Sequence, residues 1–147
     1  MRYQLIQILT CLVFILSQVV GFTQVVINEF CVANYSDFNP GDNEDWIEFY
    51  NTGASNENIG GYWLSDDPAN PMKWQFPANT IINPGGRLVV LLSGAGNYNP
   101  NMFGYLNTQY RVTQTDGESI IFSSTTGTVI ESYNLSVLGS FQANHSY

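Results

Sequence analysis

The chain has 147 residues, and its twelve carboxylates outweigh four strong bases to give a formal charge of −8. Nucleic acids and anionic lipids are bound through clustered Lys and Arg, so this composition argues against both as partners. The length suits a single domain with one hydrophobic core.

Residues 1–23 are predicted to be a cleaved secretory signal peptide. Arg2 supplies a positive charge, and an uncharged apolar run follows over residues 5–20. Polar residues interrupt this run, which argues against a transmembrane anchor of roughly 20 apolar residues. The small residues Gly21 and Thr23 suit cleavage before Gln24, with a cut after Gly21 as the alternative. We therefore expect a secreted or cell-surface chain with no membrane span after cleavage.

The mature domain, residues 24–147, has no partner for a disulfide. Cys11 leaves with the signal peptide, so Cys31 is the single cysteine that remains. It lies in an apolar run with no cationic neighbour to lower its pKa, and it is predicted to be a small buried hydrophobe. The bases Lys73, Arg87 and Arg111 then face twelve carboxylates, three positive charges against twelve negative ones, which is a formal charge of −9. Stability must come from packing, chiefly of aromatic side chains.

Short alternating runs broken by Asn, Gly and Pro predict an all-β fold. The clearest strand covers residues 46–51, in which Ile47 and Phe49 share one face while Trp46, Glu48 and Tyr50 share the other. Residues 34–44 form an acidic loop, 83–86 a glycine-containing turn, and 94–107 a further loop. A hairpin is predicted around residues 124–127. The other strands are predicted at 25–32, 62–65, 73–76, 87–92, 118–123 and 128–133.

Six motifs occur along the chain: Ile-Asn-Glu-Phe at 27–30, Glu-Asp-Trp-Ile-Glu-Phe-Tyr-Asn at 44–51, Gly-Tyr-Trp-Leu-Ser-Asp-Asp at 61–67, Lys-Trp-Gln-Phe-Pro at 73–77, Pro-Gly-Gly at 84–86, and Asn-His-Ser at 144–146. Together these motifs resemble the bacterial lamin-tail domain, and the resemblance covers residue 25 to the end. The resemblance implies an immunoglobulin-like β-sandwich of two sheets, with Asn-His-Ser in its last strand.

A sandwich of this kind buries alternate residues of its strands. Alternation and the family's apolar positions predict nine buried side chains: Ile47, Phe49, Leu64, Trp74, Phe76, Val90, Leu92, Ile121 and Ile130.

The resemblance implies a non-catalytic interaction or structural module of a secreted or cell-surface bacterial protein. Animal lamin tails are protein-interaction modules, and bacterial copies accompany hydrolases, spore-coat kinase-like domains or sorting tails. The expected partner is a protein or a cell-surface polysaccharide. The family's last strand usually continues into Gly-Arg, so we expect the chain to be the N-terminal part of a longer protein.

The alternative function is a carbohydrate- or surface-binding module attached to an exported hydrolase or spore-coat kinase-like protein. An outward aromatic platform would serve it, formed by Trp46, Tyr50, Tyr62, Trp63 and Trp74. For Trp63 and Trp74, packing in the core is the favoured interpretation.

Catalysis is not expected, and neither catalytic nor cofactor-binding residues are predicted. Glu29 and Glu48 lie on candidate neighbouring strands, where a carboxylate pair could in principle serve glycoside hydrolysis, but exposed strands often carry Glu for solubility. Ser93 lacks a nucleophile elbow, and His145 stands beside the terminus. The mature chain has one Cys and one His, too few ligands for a zinc site.

No cofactor is expected except calcium in the acidic loop. Asp37, Asn39, Asp42 and Asp45 offer the oxygen ligands that Ca²⁺ takes, although their spacing differs from an EF-hand and such loops are more often merely solvated. Bound calcium would stabilise the folded state by mass action. Melting curves in millimolar calcium and in chelator should therefore differ for the parent but not for Asp42→Ala plus Asp45→Ala. Identical parent midpoints would leave the loop as solvated surface.

Overall fold

A computed structural model describes residues 23–34, 44–95, 104–113, 117–137 and 145–147. The predicted signal peptide, apart from Thr23, and residues 35–43 of the acidic loop lie outside these ranges. The described strands are β1 (Val25–Cys31), β2 (Trp46–Asn51), β3 (Glu57–Asn58), β4 (Trp63–Ser65), β5 (Trp74–Gln75), β6 (Ile81–Ile82), β7 (Arg87–Leu91), β8 (Leu106–Asn107), β9 (Ser119–Ser123) and β10 (Val129–Asn134).

Two four-stranded sheets form a sandwich. The first sheet has the order β1-β2-β7-β8, the second β10-β9-β4-β5, and β3 pairs with β6 in a separate ribbon. All pairings are antiparallel except that of β7 with β8, which is parallel. The described residues include no helix, so the predicted all-β sandwich of two sheets is confirmed.

Among the described residues, no helix is long and apolar enough to cross a membrane.

Strand β2 shows how the sequence pattern becomes a packed sheet. Ile47 and Phe49 are buried, whereas Trp46, Glu48 and Tyr50 are half-buried on the opposite face. Because side chains alternate across a strand, one face of β2 enters the core and the other faces outward. The predicted division of this strand is confirmed.

Three phenylalanines join the two sheets at the centre of the core. The Phe49 ring on β2 lies 5.1 Å from that of Phe122 on β9 and 5.2 Å from that of Phe76, which follows β5. The Phe76 and Phe122 centroids are 6.1 Å apart, and the Trp74 ring lies 4.8 Å from Phe76. These tilted and edge-to-face contacts are favourable geometries for aromatic pairs, so the cluster fixes how the sheets meet.

Eight of the nine predicted core residues are buried, and the prediction for Ile130 is wrong. Ile130 is 36% exposed because it lies in β10, the terminal strand of the second sheet. The register also shifts between Val129 and Glu131, so the alternation that would turn Ile130 inward is interrupted.

Asn51, at the end of β2, is a buried polar residue whose hydrogen bonds are satisfied. Its amide nitrogen donates to the carbonyl oxygens of Ser55 at 2.8 Å and Ile82 at 2.9 Å, and its Oδ1 accepts from the N–H of Gly53. Its backbone also exchanges hydrogen bonds with the turn at Gly85 and Gly86. The Asn51 side chain thus joins the end of β2 and the turn that follows it to the end of β6, and its backbone joins β2 to the β6–β7 turn.

The terminal strands β1 and β10 meet along one side of the sandwich, which we call the seam. Glu131 on β10 accepts a hydrogen bond from the N–H of Ile27 at 3.1 Å, beside a bulge in β1. Further along β1, Phe30 and Tyr147 exchange both backbone hydrogen bonds, as in an antiparallel pair. The closing residues therefore lie against β1. The irregularities in β1 and β10 and the half-buried Glu131 carboxylate also protect these strand edges from pairing with another chain.

The predicted turns have the expected geometry. Gly86 donates its N–H to the carbonyl of Asn83 at 2.8 Å, and Gly85 has a φ of 65°, which a type II turn requires of its third residue. The β9–β10 hairpin turns through residues 124–128, also as predicted. Within the predicted loop 94–107, however, Leu106–Asn107 forms the short strand β8, whose two residues are too few to give a sequence pattern.

Replacement of Phe122 by Ala should lower the free energy of unfolding by about 3 to 5 kcal/mol, since it removes a fully buried ring between the sheets. Ile81→Ala is the matched control, because this residue is 53% exposed and its truncation should cost less than about 1 kcal/mol. Urea unfolding followed by tryptophan fluorescence measures both. Equal losses for the two variants would contradict the assignment of the core.

Candidate functional site

The outward face of the first sheet carries an ordered set of polar and aromatic side chains. Glu48 and Tyr50 are two residues apart on β2, so they share its outward face. Arg87 on β7 is the register partner of Tyr50. Asn28 lies at the bulge of the neighbouring strand β1. We call these four residues the Tyr50 face.

Hydrogen bonds and stacking hold the Tyr50 face in one arrangement. Glu48 Oε1 accepts from Asn28 Nδ2 at 2.8 Å and from Arg87 Nε at 3.1 Å. The Arg87 guanidinium also lies over the Tyr50 ring, 5.0 Å from its centroid. The Arg87 side chain remains 57% exposed and bonds Glu48 through Nε, so the face presents an oriented guanidinium group to solvent.

The five aromatic residues of the predicted platform do not come together. Trp46 and Tyr50 share the outward face of the first sheet, whereas Tyr62 stacks on the core residue Phe122 at 5.6 Å. Trp74 is 3% exposed, which confirms its predicted place in the core. Trp63 is half-buried on the other sheet, and its predicted core position is wrong. The reason is that its neighbour Leu64 takes the inward position of β4, which turns Trp63 outward.

Glu29 and Glu48, the carboxylate pair considered for catalysis, are register partners across β1 and β2. Each is engaged by other side chains: Glu48 by Asn28 and Arg87, and Glu29 by the Ser146 hydroxyl of the closing segment. The geometry shows two carboxylates that tie neighbouring chain segments together.

Ser93, His145 and Cys31, three further residues weighed in the sequence, all lie within the described structure. The Ser93 hydroxyl accepts a hydrogen bond from the N–H of Ala95 at 3.2 Å, and His145 is exposed in the closing segment. Cys31 is a buried free thiol, as predicted. Burial raises the pKa of the Cys31 thiol, and the charges of Asp45 and Glu29 raise it further, which keeps the thiol protonated and unreactive.

Asp45 lies between the acidic loop and β2, directly before Trp46. Its Oδ1 accepts the N–H of Asn34 at 3.0 Å. Burial raises the pKa of Asp45 to about 6, and the charges of Glu44 and Glu118 add to this effect, while the Asn34 hydrogen bond and Arg111 oppose it. A carboxyl with this pKa changes charge just below neutral pH.

The calcium prediction rests mostly on residues outside the described structure. Asp37, Asn39 and Asp42 lie in 35–43, and Asp45 is the one predicted ligand that the structure describes. In the described part of the chain, no group of three or more His, Cys, Asp or Glu residues is placed to hold a metal ion. The calcium site stays a prediction.

An ion pair not anticipated from the sequence lies beside the second sheet, in the connection from β4 to β5. Lys73 Nζ contacts both carboxylate oxygens of Asp66, at 2.6 and 2.9 Å, and Asp66 is buried. The Lys73 ammonium also lies 4.8 Å from the Tyr110 ring centroid. Burial raises the pKa of Tyr110 well above its usual value. Because Tyr110 follows β8, this group ties the second sheet to the chain that leaves the first.

The paired sheets, the aromatic core between them and the seam define an immunoglobulin-like β-sandwich module. The chain belongs to the lamin tail domain family, whose model matches residues 21–136. The family consists of non-catalytic modules of this fold. A comparison with curated proteins found no similar sequence.

Replacement of Asp45 by Asn should stabilise the calcium-free protein at pH 7.5. The folded pKa lies above the unfolded value of 3.8, so the folded state binds more protons between about pH 4 and 6 and the free energy of unfolding falls as pH rises through that window. At pH 7.5 this cost is fully present. Asn removes it while keeping an oxygen for Asn34. We expect a gain on the order of 1 to 2 kcal/mol, reduced by solvent screening because Asp45 is partly exposed.

Urea unfolding in chelator at pH 4 and pH 7.5 measures this difference. The gain should shrink to a small fraction at pH 4, where the folded carboxyl is protonated and the pH is close to the unfolded value of 3.8. Glu57→Gln, on the separate β3–β6 ribbon, is the matched control for removal of one carboxylate and should change the free energy of unfolding at pH 7.5 by less than about 1 kcal/mol. A pH-independent effect of Asp45→Asn would show that charge is not its cause.

Proposed function

We propose that this protein is a non-catalytic interaction or structural module that is secreted or displayed on a bacterial cell surface. Membership of the lamin tail domain family supports the non-catalytic role. The observation that carries the proposal is the Tyr50 face, where four side chains on an outward sheet face are held in one arrangement by mutual contacts. Side chains ordered before binding lose less entropy when a partner docks.

The alternative is a carbohydrate- or surface-binding module attached to an exported hydrolase or spore-coat kinase-like protein. One observation favours it: Trp46 and Tyr50 flank Glu48 on the same face of β2. Aromatic rings beside hydrogen-bonding groups are a surface on which a sugar chain can lie.

Export is tested by expressing the full chain in a bacterial host and measuring the mass of the product outside the cytoplasm. We expect an N-terminus at Gln24, or at Phe22 if cleavage follows Gly21, because the apolar run directs secretion and small residues precede both sites. Leu12→Arg plus Val13→Arg interrupts the run and should leave the chain uncleaved in the cytoplasm.

Retention at the surface tests the interaction role in the same cells. Exported protein should sediment with the cells, and Tyr50→Ala plus Arg87→Ala should move it into the medium without loss of folding. An uncleaved parent chain in the cytoplasm would contradict export, and equal release of parent and variant would contradict the role of this face.

A further inference from the structure

We propose that the Tyr50 face binds a neutral polysaccharide chain, with the stacked Arg87–Tyr50 pair as the planar surface on which the sugar lies and Arg87, Glu48 and Asn28 as its hydrogen-bonding groups. This inference rests on the proposed function as an interaction module and names the ligand class and the residues that recognise it.

The chemistry of the four side chains matches that of a sugar. A pyranose ring offers an apolar C–H face and a rim of neutral hydroxyl groups that both donate and accept hydrogen bonds. The planar guanidinium of Arg87, stacked on the Tyr50 ring, supplies a surface for the C–H face and hydrogen-bond donors. Glu48 supplies acceptors, and the Asn28 amide supplies both. The Arg87 bond to Glu48 and its stacking on Tyr50 fix the planar guanidinium in place, so little flexibility is lost when hydroxyl groups bind it.

Charge selects a neutral ligand over an acidic one. Glu48 and Glu29 are register partners on this surface and together outnumber the single positive charge of Arg87. The whole chain is also acidic, at −8. A polymer of uronic acids or phosphates would meet repulsion both locally and at long range, whereas hydroxyl groups would not.

The position of the four residues favours a chain over a single sugar. They span three adjacent strands, β1, β2 and β7, on the outward face of the sheet, so a polymer that crosses the strands can contact several of them. At the Trp46 end of this face, the register partners Cys31 and Leu91 are buried and offer no surface to a ligand. The Tyr50 end carries the 57% exposed Arg87 side chain. We therefore centre the ligand on Tyr50.

Native gel electrophoresis of the full chain tests the inference, with a soluble polysaccharide cast into the gel. The neutral probes are hydroxyethylcellulose, mixed-linkage β-glucan, galactomannan and arabinoxylan, and the anionic probe is alginate. At least one neutral polymer should retard the parent, and alginate should not. Tyr50→Ala and Arg87→Gln should each weaken retardation about tenfold, while Tyr50→Phe, which keeps the ring, should stay close to the parent.

Trp63→Ala is the matched control, because it removes a half-buried aromatic ring from the outward face of the opposite sheet. It should bind like the parent, and melting curves should show all variants folded. The inference is overturned if no neutral polymer retards the parent, if alginate retards it equally, or if Trp63→Ala loses binding as Tyr50→Ala does. Cells that still retain the exported protein would then indicate a protein partner, so the ligand class would fail while the interaction role stands.

Discussion

The packing of Phe49, Phe76 and Phe122 between the two sheets is the interaction on which the rest of the structure depends. Cys31 is a buried free thiol, so no disulfide links the described parts of the two sheets, and buried apolar area must join them. Three rings with centroids 5.1 to 6.1 Å apart supply that area at the centre and fix how the sheets meet. The inward faces of the central strands are therefore buried in the core.

Polar contacts at the edges of the sandwich stabilise the fold in addition to the core. Asn51 fastens a turn, Glu131 caps the edge of β1, and the Asp66–Lys73 pair fastens the second sheet near Tyr110. Each satisfies a buried or half-buried polar group whose desolvation would otherwise be costly. Because these contacts and the core use the inward faces and edges, the outward faces carry other side chains, among them those of the Tyr50 face.

The Tyr50 face shows why part of the candidate site escaped sequence reasoning. Alternation along residues 46–51 placed Trp46, Glu48 and Tyr50 on one face, since that relation is local to a single strand. Asn28 and Arg87 are 20 and 39 residues from Glu48, and only the pairing of β1, β2 and β7 brings them to it. No motif signals such a contact, and the same separation hides the pairing of Asp66 and Lys73 with Tyr110.

By itself, the sequence determined the all-β class, the family, the hairpins and turns, and eight of the nine proposed core residues. These follow from alternation, from turn residues such as Pro84 and Gly85, and from motifs of consecutive residues, all of which are local. Tertiary structure alone decided that Trp63 faces outward, that Ile130 is exposed on a terminal strand, and that Arg87 meets Tyr50. Burial and long-range contacts depend on strand order and register, which arise only when distant segments pair and pack.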